Sequence, residues 1–190
     1  MVNEQALRET VQGRSLRIMF EDEARFGRIN NPRRCWAPYP VRPLVKAAIV
    51  QEFTYAFAAV SPHDGILDTL ILPEVSTRAM NMFLHEVADR HPNDFILMIM
   101  DSAGWHKARG LEIPENMRIL HLPPYSPELN PVEHLWDEVR EKEFPNKVFG
   151  TMEMLELTLM HGLARMENSP ERVKSITGWP WIITVNLNAK

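Results

Sequence analysis

HLPPYSPELNPVEHLWDEV, residues His121 to Val139, is the stretch from which the rest of the chain can be placed. Proline fixes φ at about −65° and disfavours helix in the residue before it, so Pro123, Pro124, Pro127 and Pro131 keep the backbone extended or turning as far as Asn130. Asn130 suits the N-cap, where its side-chain oxygen accepts from an orphaned amide, and Pro131 suits the first helical position. From there Val132, Leu135, Trp136 and Val139 recur at helical spacing and predict one buried stripe. Glu133 lies at the border of that stripe, in the first turn. The macrodipole favours an acid there, so a capping role and a chemical role both stay open.

Working outward, Met117–Leu122 (MRILHL) reads as a strand that runs into this motif, and Phe95–Met100 (FILMIM) as a strand covered on both faces that delivers Asp101 at its end. Between them, 101–110 is a loop or short helix. Ser76 or Thr77 can cap a helix with Met80, Phe83, Leu84 and Val87 on its apolar face, ending near His91 and Pro92. Val45–Val50, Thr54–Val60 and Ile66–Leu72 are rich in β-branched and aromatic residues, and Ser61–Gly65 (SPHDG) is a turn, which predicts an antiparallel meander. Leu16–Phe20 (LRIMF) reads as the first strand, ending at Glu21, Asp22 and Glu23. Gly27–Pro43 is a loop for which Trp36 is the expected anchor. Downstream, a break at Pro145–Gly150 precedes a helix over Thr151–Met166 with Met152, Leu155, Leu159, Leu163 and Met166 on one face; Trp179 and Trp181 are packing residues. Residues 1–15 read as an extension or linker and 16–190 as one domain. The order predicts an α/β fold, a mixed sheet flanked by helices. Ligands of such sheets collect beyond the carboxyl ends of the strands, where Asp22, Asp101 and Glu133 can converge.

Composition sets bounds on function. The 190 residues are 45% hydrophobic and 24% charged, suited to a globular domain with a sizeable core. No apolar run reaches the roughly 18–20 residues that span a bilayer, and the first residues lack the apolar centre of a signal peptide, so the expected location is cytoplasmic, with no membrane partner. Cys35 is the single cysteine and has no ligand at zinc spacing. Net charge is −4, but from Arg14 to Lys46 eight basic residues stand against three acids. A solvated loop or a phosphate-directed patch fits that segment, and Arg25 and Arg28 can also serve as counterions to the neighbouring acids.

Three converging acids with no internal cation call for hard divalent ions with oxygen ligands, Mg²⁺ or Mn²⁺. Two such ions can clamp the attacking and leaving oxygens of a phosphoryl displacement. No HExxH, GxSxG or Gly-rich phosphate loop is present, and no aromatic platform for a glycosidase lies near the acids.

FEDEARF (Phe20–Phe26), IMDSAGWH (Ile99–His106) and LPPYSPELNPVEHLW (Leu122–Trp136) resemble the three acidic motifs of the DDE-type transposases of bacterial insertion sequences, in the mariner superfamily. The third motif is long and specific. The resemblance implies an RNase H-like fold, a mixed five-stranded sheet with a meander and helices on both faces, and a DNA endonuclease and strand-transferase. It implies Asp22, Asp101 and Glu133 as the catalytic, metal-binding triad for two Mg²⁺ or Mn²⁺ ions, with Asp22 shared and Asp101 and Glu133 each completing one. His106, Tyr125 and Asn130 line or brace the site, and Arg25, Arg28, Arg33 and Arg34 become contacts to the DNA backbone. The implied partners are double-stranded DNA of element ends and target, a helix-turn-helix module, separate or upstream, for which this chain has no room, and a second copy of the chain in a homodimer. A truncated, non-catalytic remnant serving oligomerisation or regulation is the alternative. Two departures stand out: Ser102 occupies the position where the family often has Asn, and the 31 residues between Asp101 and Glu133 are fewer than usual, which a shorter loop accommodates.

Overall fold

The computed structural model describes residues 13–28, 34, 36–44, 49–107 and 109–187. Five strands, β1 (Ser15–Gly27), β2 (Phe53–Ser61), β3 (Ile66–Leu72), β4 (Asp94–Met100) and β5 (Met117–His121), form one sheet in the order β3-β2-β1-β4-β5. β1, β2 and β3 are the antiparallel meander, whereas β4 and β5 run parallel to β1. The tight turn between β2 and β3 depends on Gly65, whose φ of 76° is costly for other residues. A Cβ there would also come within 2.0 Å of the Pro170 carbonyl oxygen.

Helix α1 (Thr77–Arg90) covers one face, with Ser76 Oγ accepting from the Ala79 amide as its N-cap. Its Met80, Phe83, Leu84 and Val87 pack against Met19, Phe57, Ala59, Ile96 and Met98. The other face carries α2 (Val132–Glu143), α3 (Met152–Glu167), α4 (Pro170–Thr177) and α5 (Pro180–Leu187). The predicted α2 stripe of Val132, Leu135, Trp136 and Val139 is buried, as are Leu155, Leu159, Leu163 and Met166 of α3, against Phe20, Ala24, Phe26, Ala58 and Val60. Burying each such side chain contributes on the order of 2 kcal/mol. Val173 of α4 and Ile182 of α5 join the same core.

Several sequence expectations need correction. β1 does not end at Phe20. It continues through the acids to Gly27, because β2 supplies an antiparallel partner for every residue from Phe20 to Gly27 after the parallel pairing with β4 stops at Phe20–Ile99. Trp36 is fully exposed and anchors nothing among the described residues. Of the strand expected over Val45–Val50, residues 45–48 lie outside the described residues, while Ile49 and Val50 are exposed and not in a strand. Residues 1–12, Arg33 and Cys35 also lie outside them. Among the described residues no helix is long and apolar enough to cross a membrane.

Candidate active site

The overshoot of β1 past β4 builds the site. Asp22 stands two residues beyond the last β1–β4 pair, and Asp101 directly follows β4, so both acids sit at the rim where the parallel sheet stops. Glu133 enters from the first turn of α2. The three carboxylates line one cleft of about 440 Å³, together with Ser102, Ala103, the 122–127 turn and Asn130.

Asp22 and Asp101 are held by identifiable contacts. Trp136, one turn after Glu133, donates its indole N–H to Asp22 Oδ2 at 2.8 Å. Asp101 Oδ1 accepts from the Ala103 amide at 2.8 Å and lies 2.7 Å from His106 Nδ1, and the Asp101 carbonyl oxygen lies 2.9 Å from His121 Nδ1. Asn130 ties the two sides together. Its Nδ2 donates to the Glu21 carbonyl at 2.8 Å, and its Oδ1 accepts from the amide of Val132, the first residue of α2, at 3.2 Å, while Pro131 takes the N-cap position that the sequence gives to Asn130. The residue before Asp22 and the residue before Glu133's turn are thereby fixed to one side chain. Ser102 donates to the Leu122 carbonyl oxygen at 3.3 Å. Tyr125 is fully exposed at the cleft, on backbone with φ of 58°.

The electrostatics follow from crowding acids in a half-buried place. Burial, then the charges of Glu133 and Glu23, push the Asp22 carboxyl up to about 8; the Trp136 hydrogen bond opposes this and Asp101 adds to it. Burial, then Glu23, Asp22 and Asp101, hold the Glu21 carboxyl well above its ordinary range. Burial lowers the His106 imidazolium's pKa, but the hydrogen bond and charge of Glu23 and the nearby Asp101 outweigh it, and the net shift is upward.

The basic residues divide by their surroundings. Arg17 is bound to Asp64 and Asp94. Arg28 donates to the carbonyls of Phe149 and Gly150 and pairs with Glu52, a different acid from the Glu21–Glu23 group for which the sequence offered it as a counterion. Arg25 is exposed and lies over the Phe53 ring at 4.5 Å, and Arg34 is exposed. Sequence reasoning did not foresee the indole contact of Trp136, which reads as plain core by its spacing. Nor did it foresee that Glu21 and Glu23 gather around His106 behind the strand, since no signal shows on which face each acid falls until β1 is known to continue.

A mixed sheet in this strand order, covered by helices on both faces and carrying acids at the β1–β4 rim, is the RNase H-like architecture of polynucleotide nucleases and transferases. The chain belongs to the DDE superfamily endonucleases, whose family model matches residues 17–156, a span that holds all three acids. It is 34% identical over 131 residues to the uncharacterized protein y4pE/y4sA of Sinorhizobium fredii (strain NBRC 101917 / NGR234), covering 68% of this chain and 96% of that one. Its fold is similar to that of the Mos1 mariner transposase in a paired-end complex with Mn, with a TM-score of 0.57 at 16% identity, over 93% of this chain and 60% of that one. Mos1 transposase in a paired-end complex with the left transposon end gives 0.56 at 16% identity, over 85% and 55%. The chain thus spans just over half the length of those transposases.

Proposed function

We propose that this domain is the catalytic part of a DNA transposase that cuts the phosphodiester backbone at the ends of an insertion sequence and joins the freed ends to target DNA, using Asp22, Asp101 and Glu133 to hold two divalent ions. The observation that carries this reading is the convergence of three carboxylates from β1, the turn after β4 and the first turn of α2 on one cleft, with the ionisation of Asp22 opposed by the other two. The donor set is all oxygen, with no Lys or Arg among the described residues that line the cleft, which suits Mg²⁺ or Mn²⁺. Bound there, the ions would supply Lewis acidity for activating water and neutralising the leaving oxygen.

The chain's own residues supply position. Trp136 fixes the rotamer of Asp22, and the Ala103 amide and His106 fix Asp101. Asn130 holds the entry of α2 against β1, so that Glu133 and Asp22 keep their separation. In the cutting step, water oxygen bonds to phosphorus as the bond to the 3′ oxygen breaks, leaving a 3′-hydroxyl and a 5′-phosphate. In joining, that 3′-hydroxyl attacks a target phosphodiester and releases a target 3′-hydroxyl. Arg25 and Arg34, together with Arg33, contact DNA phosphates, and the exposed Tyr125 ring offers a face for an unstacked base at the cut end. A helix-turn-helix module, separate or upstream, reads the terminal repeats, and the element ends are paired by two copies of the chain.

The test is Mn²⁺-dependent nicking of a supercoiled plasmid that carries the element ends, by the full chain and by Asp101→Ala. The expected outcome is nicks with 3′-hydroxyl ends from the wild-type chain and none from the variant. Nicking by Asp101→Ala at the wild-type rate would overturn the assignment.

A further inference from the structure

Behind β1, on the side away from the cleft, lies a second set of donors. Glu21 and Glu23, two apart on the strand, share the face of Met19, and His106 from the short 3₁₀ turn over Gly104–Lys107 closes over them. Among the described residues, Glu21, Glu23 and His106 are the one group of at least three acid, histidine or cysteine side chains whose ligand atoms all lie within 4.8 Å of one another. His106 Nε2 is 3.1 Å from Glu23 Oε1 and 3.7 Å from Glu21 Oε2. Metal–ligand bonds of about 2.0–2.2 Å set neighbouring donors of a tetrahedral site roughly 3.3 Å apart, close to the separations of His106 Nε2 from the two glutamates.

An independent observation points to a ligand. Glu21 is 0% exposed, and among the described residues neither of its carboxylate oxygens has a hydrogen-bond partner, although one faces His106. Buried polar groups are almost always satisfied, and an orphaned buried carboxylate asks for a cation. The other nitrogen of His106 completes the pattern. A metal-ligating histidine almost always donates its second N–H to a carboxylate or carbonyl, and His106 Nδ1 lies 2.7 Å from Asp101 Oδ1 and 3.2 Å from the Asp101 carbonyl oxygen. With an ion bound, Nδ1–H would donate to Asp101 and leave Nε2 to face the ion between the two glutamates.

We propose that Glu21, Glu23 and His106 form a second, structural cation site behind β1 that takes a divalent ion of the zinc class. The imidazole donor and the enclosed setting favour Zn²⁺ over Mg²⁺, which prefers an all-oxygen octahedral shell and retains waters. Through His106 the ion holds the turn that orients Asp101. The site shares no donor with Asp22 or Glu133, and it stands whether or not the cleft cuts DNA.

The experiment uses the full chain with the cleft weakened as a competing site, Asp22→Asn/Glu133→Gln. After equilibration with Zn²⁺ and desalting, metal content is measured by plasma mass spectrometry and the ligand shell by zinc X-ray absorption, with thermal unfolding recorded with and without the ion. The expected result is one Zn²⁺ per chain, an imidazole in its shell, and a melting temperature several degrees higher with the ion. Adding Glu21→Gln, which keeps shape and removes the buried charge, is expected to weaken Zn²⁺ retention at least tenfold and abolish the thermal shift, while the metal-free variant melts no lower than its parent. His106→Asn is expected to lose the ion as well. No Zn²⁺ bound by the cleft-weakened chain, a shell without imidazole, or undiminished retention by Glu21→Gln would each overturn the proposal.

Discussion

Asp22 and Glu21 are consecutive residues on one strand, yet they belong to different regions. Asp22 turns to the helix-rich face, takes a hydrogen bond from Trp136 and opens on a cleft shared with Asp101 and Glu133. Glu21 turns to the opposite face, is sealed from solvent, and has His106 and Glu23 beside its carboxylate. Both carboxyls are raised, and burial is the leading cause for each. The difference lies in access: a carboxylate at an open cleft can share an ion with a substrate, whereas one sealed behind the strand can only hold something structural. Asp101 links the two regions, one carboxylate lining the cleft while its Oδ1 braces His106 behind it.

Four measurements bear on this contrast. The largest effect is expected in front: replacing Asp22, Asp101 or Glu133 by Ala removes several kcal/mol of transition-state charge stabilisation, on the order of 10³-fold or more in DNA nicking, with circular dichroism unchanged. If Glu21→Gln cost as much, the two faces would not be functionally distinct.

The second concerns pH. Asp22 has a folded value of about 8 against an ordinary 3.8, so folding takes up a proton between those limits, and its cost to stability grows as pH rises from about 4 to about 8. In the presence of a chelator, Asp22→Asn is therefore expected to melt several degrees above wild type at pH 8 and near wild type at pH 4. A gap that narrows as pH rises would contradict the crowding of acids.

The third and fourth are smaller. Asn130→Ala removes the hydrogen bonds to the Glu21 carbonyl and from the Val132 amide, with an expected cost of about 2 kcal/mol in denaturant unfolding. Trp136→Phe keeps most of the buried ring and removes one hydrogen bond, about 1 kcal/mol. It is expected to lower nicking about fivefold and to move its pH profile to higher pH, because the contact that lowers the Asp22 pKa is gone.

Much of the fold was legible because the signals were local. Prolines and Asn130 placed the start of α2, the stripe of Leu135, Trp136 and Val139 gave its buried face, and the run Phe95–Met100 gave a doubly covered strand. The length of β1 was not legible, since EDEAR carries four charges in five residues and looks like a strand end. Only its partner β2, a residue-by-residue match from Phe53 to Val60, explains why it continues. That pairing also decides which acids face front and which face back, so the site behind the strand was hidden while the cleft acids stood out by motif. α4 and α5, eight residues each, are too short for periodicity to show and are held by packing of Val173 and Ile182 on the core. Trp36 reads as an anchor because large aromatics usually are buried, but no described residue covers it.

The most direct measurement of the central claim is a crystal of the full chain soaked in Mn²⁺, with an anomalous difference map at the manganese edge. Density among the carboxylates of Asp22, Asp101 and Glu133, lost in Glu133→Ala, is the predicted result. A cleft with no anomalous density at saturating Mn²⁺, its carboxylates turned apart, would contradict it.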